Sequence, residues 1–309
     1  MKRRDFVLKG GAAALALWAG RLPTADLKKF KLGIISDEVS PDLEQSLQWI
    51  KEFGLEWVEL RNIWGKYVTE MEPDNVKRAQ DLLAKYSMKV SVLDSAYYKI
   101  TLPGTEVVRR EGTKDGATFD QQKALLERAM ARAKDFGTDK VRVFAFWRVA
   151  EPRRIFDRLA RLLEDSAAVA AKEKIRLVLE NEYSCNVATG AESLDFLKLV
   201  KSPNFGLNWD SGNAFAAGEL KPIAEGYTPL DKKRIWHCHL KDAEMKDGKS
   251  VWRPIGGGSI DFAGQFRALL KDGYNETLSL ETHYLNAAKN KEQSSRESMN
   301  GLLEAIRKA

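Results

Sequence analysis

Cysteine is nearly absent from this 309-residue chain. Cys185 and Cys238 are the only two, too few for a disulfide framework, and both are expected as unpaired thiols. Histidine occurs three times, as His237, His239 and His283, which excludes a histidine-rich multi-metal cluster. No Gly-x-Gly-x-x-Gly follows the first expected strand, so the dinucleotide-binding fingerprint is missing. No low-complexity linker or break in composition divides the chain, which argues for one domain. An excess of one charge is also lacking over most of the length. The formal net charge is +6, but Lys2, Arg3, Arg4, Lys9 and Arg21 against Asp5 place +4 of it in residues 1–25. The remainder is close to balance and is no footprint for nucleic acid. What is present, 44% hydrophobic and 30% charged residues, is the composition of a soluble globular protein.

The first residues form a separate feature. Arg3-Arg4 is followed by Phe6 and Leu8 and then by a short apolar run from Ala12 to Ala19. This resembles a twin-arginine export signal. The run is too short to span a bilayer comfortably. Residues 1–25 are therefore expected to be an export segment, cut between Ala16 and Ala25. Residues 26–309 are expected to be a periplasmic domain with no stable membrane insertion.

From residue 31 onward strand and helix patterns alternate. Expected strands are 31–36, 56–61, 88–95, 140–146, 175–182, 205–210, 234–242 and 277–284. Expected helices include 43–53, 73–86, 118–136, 152–172, 190–201, 219–225, 261–271 and 292–308. Eight such units predict a closed (β/α)8 TIM barrel, with an open doubly wound sheet as the alternative. Function is then expected at the C-terminal strand ends and in the long segments after them, 96–117, 211–219 with 226–232, and 241–260. Lys99, at the start of the first, can face the site.

Four runs organise the second half: IRLVLENE, FGLNWD, RIWHCHLKD and TLSLETHY. Period-two alternation turns Leu177, Leu179, Leu207, Trp209, Cys238, Leu240, Leu278 and Leu280 toward the helices. It turns Glu180, Glu182, Asn208, Asp210, His237, His239, Lys241, Ser279 and Glu281 toward the barrel axis. Buried carboxylates need partners, and a divalent cation serves three carboxylates and an imidazole at once. Pairing of Glu180 and Glu281 with Arg142 and Lys241 is the rival arrangement.

GIISDEVSPDLEQSLQWIKEFGLEWVELR, LVLENE, LNWDSGN, WHCHLKD, PIGGGSIDF and LSLETHY together resemble the xylose-isomerase-like barrels of sugar isomerases and epimerases. That group includes ketose 3-epimerases, hydroxypyruvate isomerase and inosose dehydratase. The resemblance implies one divalent metal on Glu180, Asp210, His239 and Glu281, and it selects His239 over His237. Manganese is the expected ion, with magnesium, cobalt and zinc also suited to an O,O,O,N donor set. The implied activity is isomerisation or epimerisation of an unphosphorylated sugar or keto-sugar through an enediolate, with Glu180 and Glu281 moving the proton. Metal-dependent β-elimination on a 3-keto-sugar or 3-keto-glycoside is the alternative. Lys241 or His237 is expected at the developing oxyanion, with Asp242 orienting one of them. Glu59, Arg61, Trp64 and Arg142 are expected at sugar hydroxyls and ring faces. Arg253 is expected beside Gly256-Gly257-Gly258, which reads either as a phosphate cradle or as a turn. One departure stands out: many relatives carry Asp-x-x-His after strand six, where this chain has Asp210 and Asn213. Asn213 can bond substrate or a ligand but cannot shuttle a proton. A carbohydrate is the expected partner, nucleic acid is not, and a homo-oligomer stays open.

Overall fold

The structure is a computed structural model that describes residues 29–108 and 113–309. The expected export segment lies outside the described residues. Eight strands run parallel: β1 (Lys31–Ile34), β2 (Trp57–Leu60), β3 (Lys89–Asp94), β4 (Lys140–Val143), β5 (Arg176–Glu180), β6 (Phe205–Asp210), β7 (Ile235–Leu240) and β8 (Thr277–Leu280). Their order around the sheet is β1-β8-β7-β6-β5-β4-β3-β2, the order of a TIM barrel. β1 and β2 meet through a single parallel bridge between Ile35 and Glu59. Gly33 lets the two edges approach, since a Cβ there would lie 2.6 Å from the Trp57 carbonyl oxygen.

The outer layer is α1 (Leu43–Glu52), α2 (Pro73–Lys85), α3 (Gln122–Asp135), α4 (Phe156–Lys172), α5 (Gly190–Leu199), α6 (Ser211–Ala216), α7 (Phe262–Lys271) and α8 (Lys291–Arg307). Local chemistry sets their ends. Asp42 caps α1 by accepting from the Gln45 N–H at 3.0 Å. Thr189 and Glu192 form a reciprocal capping box at α5. Leu43, Leu47 and Ile50 of α1 face the sheet, as their spacing requires. Leu177, Leu179, Leu207, Trp209, Cys238, Leu240, Leu278 and Leu280 all join the core between sheet and helices. The other phase of the same strands is therefore free to face the axis.

Some boundaries differ from expectation. The fourth strand stops at Val143, and Phe146 beyond it takes a left-handed φ of 57°. Asn186 Nδ2 then satisfies the carbonyls of Ala145 and Trp147, each at 2.9 Å. The helix expected over 219–225 is replaced by α6 and a π-helical turn, Pro222–Tyr227. The segment 241–260 carries an antiparallel hairpin, Asp242–Lys246 with Lys249–Arg253. Among the described residues no helix is long and apolar enough to cross a membrane.

Both cysteines are free and fully buried. Burial pushes the thiols up, that of Cys238 to about 12. Neither is expected to react with an aromatic disulfide reagent in the native protein, and both should react once it is denatured. Fast modification of the native chain would contradict this packing.

Candidate metal centre

Glu180 ends β5, Asp210 ends β6, His239 lies near the end of β7, and Glu281 directly follows β8. These are four successive strands of the barrel, so alternation brings the side chains to one place. Each offers one ligand atom, and those four atoms all lie within 4.8 Å of one another. Nδ1 of His239 is 3.5 Å from Glu180 Oε1, 3.8 Å from Asp210 Oδ2 and 3.3 Å from Glu281 Oε2. It makes no hydrogen bond, and neither does Glu180 Oε2.

Each of the four is held from outside. Asn213, from the first turn of α6, donates to Glu180 Oε1 at 2.9 Å and Asp210 Oδ2 at 3.1 Å. The Asn213 backbone N–H donates to Asp210 Oδ1, and Asn181 Oδ1 accepts from the Asp210 N–H at 2.7 Å. Lys241 Nζ reaches Asp210 Oδ2 at 2.8 Å and Glu281 Oε2 at 2.5 Å. Arg142 Nη1 bridges Asp94 Oδ2 at 3.0 Å and Glu180 Oε2 at 3.2 Å. Arg61 joins Glu281 Oε1 at 2.8 Å to Asp37 and Glu38. His239 Nε2 lies 2.9 Å from Glu59 Oε1.

Charge decides between a metal site and a closed ion network. Glu59, Asp94, Glu180, Asp210 and Glu281 are at most 3% exposed, and the fully buried cations among them are Arg142 and Lys241. Burial drives the Asp94 carboxyl well above its usual range despite Arg142, so its charge is opposed. Burial opposes ionisation of Glu180 as well, but Arg142 and His239 overcome it and hold that group at about 2. Burial raises Asp210 to about 6 against the pull of Lys241. Burial also works against a charged His239, yet the carboxylates of Glu59, Glu180 and Glu281 draw its pKa well above the imidazole range. Even with Asp94 set aside, Glu59, Glu180, Asp210 and Glu281 outnumber Arg142, Lys241 and His239, so the cluster carries an excess of negative charge that a divalent cation would relieve. The unpaired Nδ1 marks where positive charge is missing. The four residues therefore fit a metal ion.

Two other acidic–histidine groups do not fit as well. In Glu59, His237 and His239, both carboxylate oxygens are already taken by imidazole nitrogens. In Glu38, Glu281 and His283, the Arg61 guanidinium lies between the carboxylates.

Several side chains expected at the sugar stand elsewhere. Glu59 and His237 are wholly buried and bonded to each other at 2.8 Å, below the ligands rather than at the mouth. Arg142 is also buried, between Asp94 and Glu180. Trp64 gives its indole N–H to Asp42 at 3.2 Å and lies under Arg78. Arg253 pairs with Glu244 on the hairpin, at 2.5 Å. Asp242 orients neither His237 nor Lys241. Its carboxylate accepts the N–H groups of Ala243, Gly256, Gly258 and Ile260, so the three glycines are a turn closed on a carboxylate. A Cβ at Gly258 would sit 2.2 Å from Asp242 Oδ1. Lys99 remains at the rim, 3.0 Å from Glu182 and 30% exposed. Arg61, Lys241 and Asn213 touch the ligands directly. Sequence reasoning missed Asp94, although KVSVLD places it in the same inward phase as Val92.

Residues 47–305 match the family described as Xylose isomerase-like TIM barrel. Among curated proteins, the chain is 26% identical over 180 residues to a putative L-ribulose-5-phosphate 3-epimerase of Escherichia coli. It is 28% identical over 130 residues to an inosose isomerase of Bacillus velezensis. These alignments cover 55% and 40% of this chain, and 60% and 45% of the relatives' own lengths. A solved structure of the IOLI protein with a bound zinc atom superposes with a TM-score of 0.67 at 20% identity, covering 90% of this chain and 99% of that one. With the match spanning most of the barrel and the strand order in agreement, the chain belongs to the xylose isomerase-like TIM barrel family.

Proposed function

We propose that this protein is a divalent-metal-dependent isomerase or epimerase that moves a proton beside the carbonyl of an unphosphorylated sugar or keto-sugar. The observation that carries the reading is the unpaired Nδ1 of His239 facing Glu180, Asp210 and Glu281 in an environment with an excess of negative charge. Manganese is the expected ion for these donors. When bound, a divalent cation supplies Lewis acidity that polarises a carbonyl and acidifies the neighbouring C–H.

The side chains divide the remaining work. Glu180 and Glu281 stand on strands separated by β6 and β7, so they approach the centre from two sides, one to take the proton and one to return it. Lys241, within reach of both Asp210 and Glu281, offers an ammonium to an oxygen that gains negative charge. Arg61 fixes the Glu281 carboxylate in place. Asn213 holds Glu180 and Asp210 and takes no part in moving the proton.

Two features favour a substrate without phosphate. The backbone N–H groups of the glycine turn, which would suit a phosphate, are already bound to Asp242. Twin-arginine export to the periplasm, part of this proposal, also separates the protein from cytoplasmic kinases.

The test has two steps. Metal-stripped protein is reloaded with Mn²⁺, and a single ion per chain is expected by elemental analysis. The loaded protein is then incubated in D₂O with ketoses and with 3-keto-glycosides. Deuterium at the carbon beside the carbonyl, with no bond lost, is the expected product. Release of water or an aglycone would move the protein to the lyases, and failure to take up any ion would sink the reading.

A further inference from the structure

The metal reading uses one nitrogen of His239 and leaves the other on a carboxylate that the sugar chemistry does not need. Nε2 of His239 lies 2.9 Å from Oε1 of Glu59. Oε2 of Glu59 lies 2.8 Å from Nε2 of His237, and Nδ1 of His237 lies 2.7 Å from the Thr277 hydroxyl. Glu59, His237 and His239 have no exposed surface, and Thr277 is 2% exposed.

The bonds in this chain have a direction. A buried carboxylate needs donors, and Arg142 is committed to Asp94 and Glu180. Both imidazoles therefore present Nε2–H to Glu59; the Asn208 amide, 3.0 Å from the same His239 Nε2, is then oriented with Oδ1 toward it, which gives that otherwise unpartnered oxygen a donor. Nδ1 of His237 is then an acceptor and takes the Thr277 O–H. In the neutral ring that a metal requires, Nδ1 of His239 is then bare, and among the described residues it is the one imidazole nitrogen that is buried without a hydrogen bond.

We propose that Glu59 is a positioning residue for the metal ligand: it holds His239 in the Nε2–H tautomer, so that the Nδ1 lone pair faces the three carboxylates. His237, pinned by Thr277, holds Glu59 in turn. The proposal rests on the metal reading of the cluster. It gives a physical reason for His239 rather than His237 as ligand, which strand phase alone leaves open because both face the axis. The backbone supports it: the β2–β3 register shifts between Val58 and Leu60, at Glu59, and Glu59 also makes the bridge to Ile35. A partner on the far ring nitrogen fixes ring orientation and raises ligand basicity.

The experiment measures metal affinity by titration calorimetry, with Mn²⁺ and Zn²⁺ as probes, on the full metal-stripped chain. Glu59→Gln keeps the shape but can accept from only one of the two imidazoles, and it is expected to weaken binding by about 10–100-fold. His237→Phe should weaken it in the same direction, and His237→Gln, which keeps a donor toward Glu59, should restore most of the loss. Binding by Glu59→Gln within twofold of wild type would overturn the proposal while leaving the metal reading intact. If a variant fails to fold, ¹⁵N-imidazole spectra of the zinc-loaded wild type decide instead. A protonated Nε2 on His239 is expected, and ligation through Nε2 would overturn the proposal. A wild-type chain that takes up neither ion would overturn the metal reading and this inference together.

Discussion

Glu180→Gln and Glu281→Gln are each expected to lower turnover by about 10²–10⁴-fold, the usual range for loss of a positioned general acid or base. The amide keeps the volume of the side chain, and at Glu180 it keeps a carbonyl oxygen for Asn213 Nδ2. The fold should therefore survive, with circular dichroism unchanged. The two substitutions should nevertheless differ. Glu281 is bound at both oxygens, by Arg61 and His283 on one and by Lys241 on the other. Glu180 has one oxygen with no hydrogen bond. Glu281→Gln should therefore also disturb Lys241 and Arg61 and raise KM, whereas Glu180→Gln should act mainly on kcat. Deuterium exchange into the substrate from D₂O gives the readout. Exchange within tenfold of wild type in both variants would remove these carboxylates from the proton path and favour a barrel that only binds its sugar.

The largest expected effect on stability is at Arg142. Its guanidinium is buried, joins Asp94 to Glu180 and donates to the Tyr67 hydroxyl at 3.0 Å. Arg142→Met would leave Glu180 with one compensating cation fewer in a site already short of positive charge. A loss of about 3–5 kcal/mol is expected, because breaking a buried pair strands a charge rather than merely deleting a contact. Urea denaturation of the metal-free protein measures it. Adding Asp94→Asn should recover less than adding Glu180→Gln, since burial already opposes the Asp94 charge while Glu180 is held ionised. A loss below about 1 kcal/mol would mean that water reaches Glu180 and that the interior is not as dry as its burial suggests.

The clustering of the four candidate ligands was legible because a strand has period two and each sits at or near the end of a run whose alternate residues are large and apolar. Leu177 and Leu179 decide where Glu180 points, and Leu278 and Leu280 do the same for Glu281. Alternation was less use for roles in depth. His237 was read as inward-facing, and Glu59 and Arg142 were expected at the sugar, but nothing in the phase says how far along the axis a side chain lies. That distance depends on the stagger of neighbouring strands, and two shifts, at Val58/Leu60 and at Leu207/Asn208, are not encoded in any local pattern. Asp242 was misread for a different reason. Its partners Gly256, Gly258 and Ile260 are 14 to 18 residues away, across a hairpin that looks like an ordinary loop in sequence. Trp64 and Arg253 face neighbours on the outer elements, and neither contact has a sequence signature.

The join between β1 and β2, closed by one backbone bridge, has a consequence for how the site responds to its ligands. Glu59 and Arg61 stand beside that join, yet their partners His239 and Glu281 are 180 and 220 positions further along the chain. If the edges part, the β5–β8 side keeps its carboxylates but loses the groups that orient His239 and Glu281. An ion or substrate that needs those groups binds the closed barrel and not the opened one. Its binding energy then adds to closure by mass action, increasing with ligand concentration over the dissociation constant. Loading the centre thus works as a remote clasp on the join closed by a single bridge, and the backbone amides that cross from β1 to β2 at the Ile35–Glu59 bridge are where protection from exchange would register it.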